Sequence, residues 1–209
     1  MKSRAILLAT ALVAIPVASE PLAGVYHLEG VREAAGTIEL TADGRFLYVL
    51  SYGALDERSA GIWRREGLRL LLRTEPKPRL PRFELVEAGR GPAGTFGLLV
   101  EDQQGNPIPN LEVSVHLSSG ETEVARSEHD WLEGELPPGV KPLSLIIRIP
   151  VFDVWSEVFP VDPEAGNRMR IRLDPADLGV RDFADEALEI RTDGLGFPGD
   201  EPGIWRRSD

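Results

Sequence analysis

The stretch that decides the fold is TIELTADGRFLYVL, which covers residues 37–50. Its apolar and polar residues alternate, so Ile38 and Leu40 point to one face of an extended chain and the residues between them point to the other. Asp43 and Gly44 then interrupt the alternation with a residue pair that tight hairpin turns prefer. The stretch therefore predicts two antiparallel strands with one buried face.

The rest of the chain also favours strands over helices. It contains 21 glycines and 17 prolines in 209 residues, and both residue types break helices. They separate short alternating segments such as residues 111–118, where Leu111 and Val113 share one face and His116 points to the other. Regular short strands with turn residues between them are typical of barrels and sandwiches. The sequence thus predicts an all-β protein.

Prolines and glycines also divide the chain into two predicted units. Pro76, Pro78 and Pro81 fall close together, and each lacks the N–H that a strand needs, so this region is predicted to be an extended connector. We expect a small antiparallel barrel-like domain over residues 20–88, a linker over residues 89–94, and a β-sandwich with a C-terminal extension over residues 95–209.

The predicted linker needs separate comment because GRGPAG, residues 89–94, matches the glycine spacing of a dinucleotide-binding loop. Such a loop must open a helix, whereas residues 95–100 are β-branched, aromatic and strand-like. Pro92 also removes one of the amides that would face a pyrophosphate. No nucleotide cofactor is predicted.

The first nineteen residues have the order of a secretory signal peptide. Lys2 and Arg4 precede an apolar run, Pro16 ends it, and small residues surround a cleavage position after Ser19. The run is shorter than the roughly 20 apolar residues that span a bilayer. We expect a periplasmic or secreted protein without stable membrane insertion after cleavage.

Charge and cysteine content exclude several classes of function. The net charge is −11, and removal of residues 1–19 takes away Lys2 and Arg4 but no acid, which makes it −13. Such a charge opposes nucleic-acid partners, whose phosphates need a basic surface. The chain has no cysteine, which excludes disulfides and thiolate chemistry. Its three histidines stand far apart in sequence, so no metal site and no cofactor are predicted.

One motif occurs twice. GIWRR stands at residues 61–65 and again at residues 203–207, and an Asp-Gly pair precedes each copy. The distance from Asp43 to Gly61 is eighteen residues and that from Asp193 to Gly203 is ten, so the copies are not a fixed-period repeat. Two interpretations are open. Either two strands solve the same packing problem alike, or the C-terminal strand lies beside, or mimics, a strand of the first unit.

Residues 24–70 resemble a known small barrel. The stretches GVY at residues 24–26, IELTADGRF at residues 38–46, GIW at residues 61–63 and GLRL at residues 67–70 are similar to the lipocalin-like barrel at the N-terminus of NlpE-type copper-resistance lipoproteins of the bacterial envelope. The paired and lipid-bearing cysteines of that family are absent here. The resemblance implies a small barrel, and neither copper binding nor lipid anchoring.

A second resemblance concerns the C-terminal unit. GLLVED at residues 97–102, GNPIPNLEV at residues 105–113 and LPPG at residues 136–139 are similar to the carboxypeptidase-regulatory or transthyretin-like β-sandwich. Residues 127–134 replace that family's usual turn. These modules are generally non-catalytic accessories, so the resemblance implies binding or scaffolding.

Three groups of side chains are candidates for binding. The first is the loop around Trp131 and His129, where an exposed indole flanked by acids would stack on a sugar or a partner's surface, or would otherwise cover the sandwich edge. The second is a basic stripe for an acidic partner, unless it is an edge strand whose charges block aggregation; it consists of Arg168, Arg170 and Arg172. The third lines the predicted barrel; it consists of Phe46, Tyr48, Trp63 and the stripe Leu68, Leu70 and Leu72.

These observations favour a non-enzymatic exported module that binds or scaffolds an envelope protein or a glycan. The alternative is a carrier of a small apolar ligand in the N-terminal barrel, although the interiors of small barrels are usually filled by side chains. A carboxylate-dependent hydrolase is less favoured, because a pair such as Glu133 and Glu135 would share one wet face of a strand.

Overall fold

The computed structural model describes residues 22–162, 164–199 and 203–208. The predicted signal peptide, residues 1–19, lies outside these described residues. The regular secondary structure of the described residues consists of strands and a short 3-10 helix, Pro150–Phe152. The all-β fold class is therefore confirmed. None of the described helical segments has the length and apolar character needed to cross a membrane.

The strands follow one another along the chain in three groups. The first group is β1 Gly24–Glu29, β2 Ala34–Leu40, β3 Arg45–Tyr52, β4 Leu55–Glu66 and β5 Arg69–Thr74. The second is β6 Arg82–Gly89, β7 Thr95–Glu101, β8 Glu112–Leu117, β9 Thr122–Arg126, β10 Leu132–Glu135, β11 Pro142–Ile149, β12 Val154–Trp155, β13 Phe159–Pro160 and β14 Arg168–Asp174. The third is β15 Ala184–Arg191, β16 Gly194–Gly196 and β17 Ile204–Arg207.

The first and third groups together form one closed barrel. Its strand order is β1-β17-β16-β15-β5-β4-β3-β2, with β2 pairing back to β1. Every neighbouring pair is antiparallel. The predicted hairpin forms its wall, with Ile38 opposite Tyr48 and Leu40 opposite Phe46, and Gly44 takes the positive φ of 84° that the turn requires.

The predicted domain boundaries differ from this arrangement in two respects. Residues 184–207 were expected to extend the sandwich, but β15, β16 and β17 pair with the N-terminal strands instead. The strand β6 falls almost entirely within the first predicted domain, residues 20–88, but it pairs with β14 in the sandwich. Short-range patterns identify a strand without identifying its partner, which explains both errors. The sandwich is thus an insertion between β5 and β15.

The repeated GIWRR motif has a structural counterpart. The strands β4 and β17, which carry its two copies, lie four places apart among eight and so occupy opposite walls of the barrel. In the first copy Trp63 N donates to Gly44 O at 2.8 Å, and in the second a Cβ on Gly194 would collide with Trp205 O. The two copies therefore belong to one barrel, and the C-terminal strand does not lie beside β4.

The barrel interior is filled by side chains. Phe183, which lies in the segment that leads into β15, is fully buried and meets Phe46 and Tyr48 edge to face, with ring centroids 5.6 and 5.0 Å away. Trp205 packs on Tyr48 from the opposite wall, at 5.7 Å. Burial raises the pKa of Tyr48 to about 12. One member of the predicted inward stripe, Leu68, instead lies exposed in the β4–β5 turn.

The second group of strands forms two sheets that enclose their own apolar core. One sheet has the order β10-β7-β14-β6, and the other has the order β12-β11-β8-β9 with β13 beside β11. Their shared core includes Leu98, Val113, Ile147 and Ile171. Residues 89–94 were expected to link two domains. Instead Gly89 ends β6, and residues 90–94 join β6 to β7, which flank β14 in one sheet. The chain passes between barrel and sandwich over residues 75–81 and 175–183.

Replacing Phe183 tests whether the segment that leads into β15 completes the barrel core. We expect Phe183→Ala to lower the free energy of unfolding by about 3–5 kcal/mol, since it removes a buried ring with two aromatic partners. Leu68→Ala, at an exposed turn position, is the matched control and should change it by less than about 0.5 kcal/mol. Urea denaturation measures both values. A loss of under about 1 kcal/mol for Phe183→Ala would contradict the packing described.

Candidate functional site

The basic stripe lies in the middle of a sheet. The strand β14 pairs with β7 on one side and with β6 on the other, so the interpretation of an edge strand is wrong. Met169 and Ile171 point into the core, and the three arginines emerge on the outer face of the sheet. Arginines alternate with apolar residues both on an edge strand and on a central strand whose one face is exposed to solvent. The sequence pattern therefore does not distinguish the two positions, which explains the error.

Carboxylates on the neighbouring strands neutralise this stripe. Arg172 stands opposite Glu101 in the pairing with β7, and its Nη2 lies 2.6 Å from the Glu101 carboxylate. Arg170 stands opposite Glu87 of β6, at 2.5 Å, and also approaches Glu101 at 3.8 Å. Glu101 is only 2% exposed, so it depends on these cations for compensation of its charge.

The indole of Trp131 is also engaged within the protein. The guanidinium carbon of Arg168 lies 4.1 Å from the ring centroid, a cation–π contact, and Arg168 also forms an ion pair with Glu133. Trp131 is half-buried, and His129 is exposed in the preceding loop. The structure therefore brings Trp131 and Arg168 together, and one face of the indole is already covered.

The three aromatic residues proposed to line a ligand cavity face the barrel interior. Phe46 and Tyr48 are buried. Trp63 is half-buried against the same cluster, and its Nε1 donates to Thr41 O at 3.0 Å. They pack against Phe183 and Trp205, so they fill the interior with protein side chains.

A wide cleft opens at one end of the sandwich. It encloses about 760 Å³. Its walls come from the start of β6, the end of β14, the turn between β7 and β8, and the edge strand β12 with the residues after it. The lining residues are Pro81, Arg82, Phe83, Glu84, Gln103, Trp155, Ser156, Glu157, Arg172 and Asp174. We call this the Trp155 cleft.

Trp155 presents an open aromatic surface to this cleft. The side chain is 53% exposed. The guanidinium carbon of Arg148 lies 4.8 Å from its ring centroid, and its Nε1 donates to the Asp153 carboxylate at 3.2 Å. Arg148 also contacts Asp153, at 2.8 Å. These contacts hold the indole in place and leave much of its surface accessible.

The polar wall opposite is held by the β7–β8 turn. Asp102 accepts hydrogen bonds from the backbone N–H groups of Gln104 and Asn106, both at 2.8 Å, and from the Asn106 side chain. These bonds lower the pKa of Asp102. The turn places Gln103 so that its Nε2 donates to Asp174 at 3.0 Å. The cleft thus offers amide, guanidinium and carboxylate groups near an aromatic ring.

Sequence reasoning identified Arg172 as a binding residue but missed Trp155. The segment from Val151 to Val161 reads as one strand. In the structure it breaks into the 3-10 helix and the two short strands β12 and β13. Pro150 begins the helix, and Asp153 takes a left-handed φ of 50° after it. Those two residues were the available signal, since each interrupts an otherwise apolar run.

Comparison with protein-family models, with curated proteins and with solved structures gives no match for this chain. The resemblances to an NlpE-type barrel and to a transthyretin-like sandwich therefore stay predictions. Within the described parts of the chain, no three His, Asp or Glu side chains are grouped in a way that would hold a metal ion.

Replacing Glu101 tests the neutralised stripe. Glu101→Gln leaves Arg170 and Arg172 without their buried partner, and we expect it to lower the free energy of unfolding by about 1–3 kcal/mol, less than for a fully buried pair because both arginines are partly exposed. Glu87→Gln removes a carboxylate that is largely exposed and should cost less than about 1 kcal/mol. Thermal and urea denaturation measure the stability of both variants. Equal losses of stability in the two variants would contradict the role of Glu101 as the buried partner of Arg170 and Arg172.

Proposed function

We propose that this protein is an exported, non-enzymatic binding module that binds a glycan in the Trp155 cleft. The observation that carries the proposal is the exposed face of Trp155 at the edge of a cleft whose other walls are polar. Sugars combine an apolar ring face with a rim of hydroxyl groups, and an aromatic ring beside hydrogen-bonding side chains complements both features.

The choice of hydrogen-bonding groups favours a glycan over a protein partner. Arg82 and Gln103 supply donors, and Glu84 supplies acceptors, so both roles of a hydroxyl group can be met. Protein interfaces are centred on apolar and aromatic contacts with few charges, whereas charged and amide side chains dominate this cleft. The cleft volume also lies within the range of pockets that hold small ligands.

Binding is favoured over hydrolysis because of where the carboxylates lie. Glu84 and Glu157 are exposed to solvent, and Asp174 already accepts a hydrogen bond from Gln103. A carboxylic acid that donates a proton at neutral pH is usually buried in apolar surroundings, which raise its pKa. The sequence analysis also considered Glu133 and Glu135 as a catalytic pair. In the structure Glu133 forms an ion pair with Arg168.

The filled barrel gives no support to carriage of an apolar ligand. Phe183 and Trp205 occupy the interior between opposite walls, so a ligand would have to displace closely packed rings. Export, to the periplasm or the medium, is supported by the order of residues in the predicted signal peptide.

Trp155→Ala is the direct test of glycan binding. The wild-type chain is screened against an array of soluble polysaccharides and oligosaccharides, and binding of each hit is then measured by titration calorimetry. We expect Trp155→Ala to weaken binding about tenfold or more, since loss of an aromatic contact of about 1.5 kcal/mol corresponds to that factor. Gln103→Ala should weaken it as well.

Trp131→Ala is the matched control, because it removes a tryptophan of the same sandwich that does not line the cleft. It should leave the affinity within about twofold of the wild type. An array without hits, or a Trp155→Ala variant that binds as tightly as the wild type, would refute glycan binding at this cleft.

A further inference from the structure

The repeated GIWRR motif brings arginines to one end of the barrel. The strands β4, β15 and β17 run in the same direction, because neighbours are antiparallel and these strands are separated by even numbers of places. All three therefore end at the same rim. Trp63 and Trp205 belong to the interior cluster, so Arg65 and Arg207, two residues later, share the inward phase of the strands.

A cavity at this rim is lined by both copies of the motif. It encloses about 350 Å³. Four arginines line it, namely Arg65, Arg191, Arg206 and Arg207, and we call it the arginine mouth. Its floor includes Tyr26 and Leu195, which also belong to the barrel core. The chain leaves for the sandwich at the opposite end of the barrel. The strand β15 begins at that opposite end and finishes at the arginine mouth.

The arginines of the mouth differ in how far they are neutralised. Arg206 lies 2.7 Å from Glu29 and 3.5 Å from Asp193, the one carboxylate among the lining residues. Arg191 pairs with Glu189 at 3.0 Å. Arg191 and Arg206 therefore each have a carboxylate partner among the described residues.

Arg65 carries the uncompensated charge. Its Nε donates to the backbone carbonyl of Gly67 at 2.9 Å, and in the described part of the chain no carboxylate pairs with it. The bond to Gly67 fixes the side chain through one N–H and leaves the two terminal nitrogens of the guanidinium available. Arg207 is anchored near the opposite wall, where its Nη2 donates to Ala23 O at 2.7 Å.

We propose that the arginine mouth binds a phosphate monoester group, carried either by a small soluble molecule or by a lipid headgroup. A guanidinium presents paired N–H donors in a fixed plane that matches two oxygens of a phosphate. A doubly charged phosphate gains more from the guanidinium of Arg65, which has no carboxylate partner among the described residues, than a singly charged carboxylate does. The site is separate from the Trp155 cleft and does not depend on glycan binding.

The test titrates the full chain, after removal of residues 1–19, with inorganic phosphate and with glycerol 3-phosphate by calorimetry. We expect Arg65→Gln to weaken binding of both about tenfold, which is the usual effect of losing a charged hydrogen bond to an anion. Arg65→Lys keeps the charge but loses the planar guanidinium, so its affinity should lie between those of the wild type and of Arg65→Gln. Affinity should decrease as salt increases.

Arg32→Gln is the matched control. Arg32 lies beyond the end of β1, at the other rim of the barrel, and is 93% exposed, so its loss removes the same charge without touching the mouth. It should leave phosphate binding within about twofold of the wild type. Absence of binding at about 10 mM phosphate, or equal effects of Arg65→Gln and Arg32→Gln, would overturn the proposal.

Vesicles distinguish the two sources of the phosphate. Co-sedimentation uses phosphatidylcholine vesicles with and without phosphatidate. Binding of glycerol 3-phosphate but not of vesicles supports a soluble ligand, and phosphatidate-dependent sedimentation that Arg65→Gln reduces supports a lipid headgroup. Sedimentation that Arg65→Gln leaves unchanged would overturn a headgroup site at the mouth.

Discussion

Closure of the barrel by the two ends of the chain is the constraint on which the rest of the structure depends. An unclosed sheet would leave the backbone N–H and C=O groups of β1 and β5 unpaired at its two edges. Here β17 pairs with β1 and β15 pairs with β5, so β15, β16 and β17 cover both edges at once. The sandwich must fit between β5 and β15, and its two connectors must leave from the same rim. Both connectors lie at one rim, and the arginine mouth lies at the other.

The local parts of this fold could be predicted from sequence, because their pairing partners are neighbours along the chain. The hairpin of residues 37–50 and the buried face of β8 follow from alternation and turn residues alone. Alternation does not show which distant strand lies alongside, so the place of β15 in the barrel and the central position of β14 were missed. The repeated GIWRR motif was a sequence signal for closure, but its meaning required the strand order.

The candidate sites were harder to predict for the same reason. The Trp155 cleft gathers residues from β6, β12, β14 and the β7–β8 turn, and only the tertiary fold brings them together. The residues chosen from sequence were chosen for exposure and charge, yet Arg170 and Trp131 proved to have partners within the sheet. A packed barrel core lies between the connectors and the arginine mouth, so the two candidate binding sites, the Trp155 cleft and the arginine mouth, lie at separate places.

Cross-linking of β1 to β17 tests the central claim most directly. The chain has no cysteine of its own, so only the two introduced cysteines can form a disulfide within it. His27 stands opposite Arg206, and both side chains are exposed, so facing Cβ atoms at this position come within the reach of a disulfide after small adjustment. The double variant His27→Cys with Arg206→Cys is oxidised at low protein concentration, and the monomer is digested and analysed by mass spectrometry. The account predicts an intramolecular disulfide between the two ends of the chain, while His27→Cys with Arg126→Cys, a control that joins the barrel to the sandwich edge, forms none. Absence of the disulfide in the first variant, with both cysteines reactive and the chain folded, would contradict closure of the barrel by its C-terminal strands.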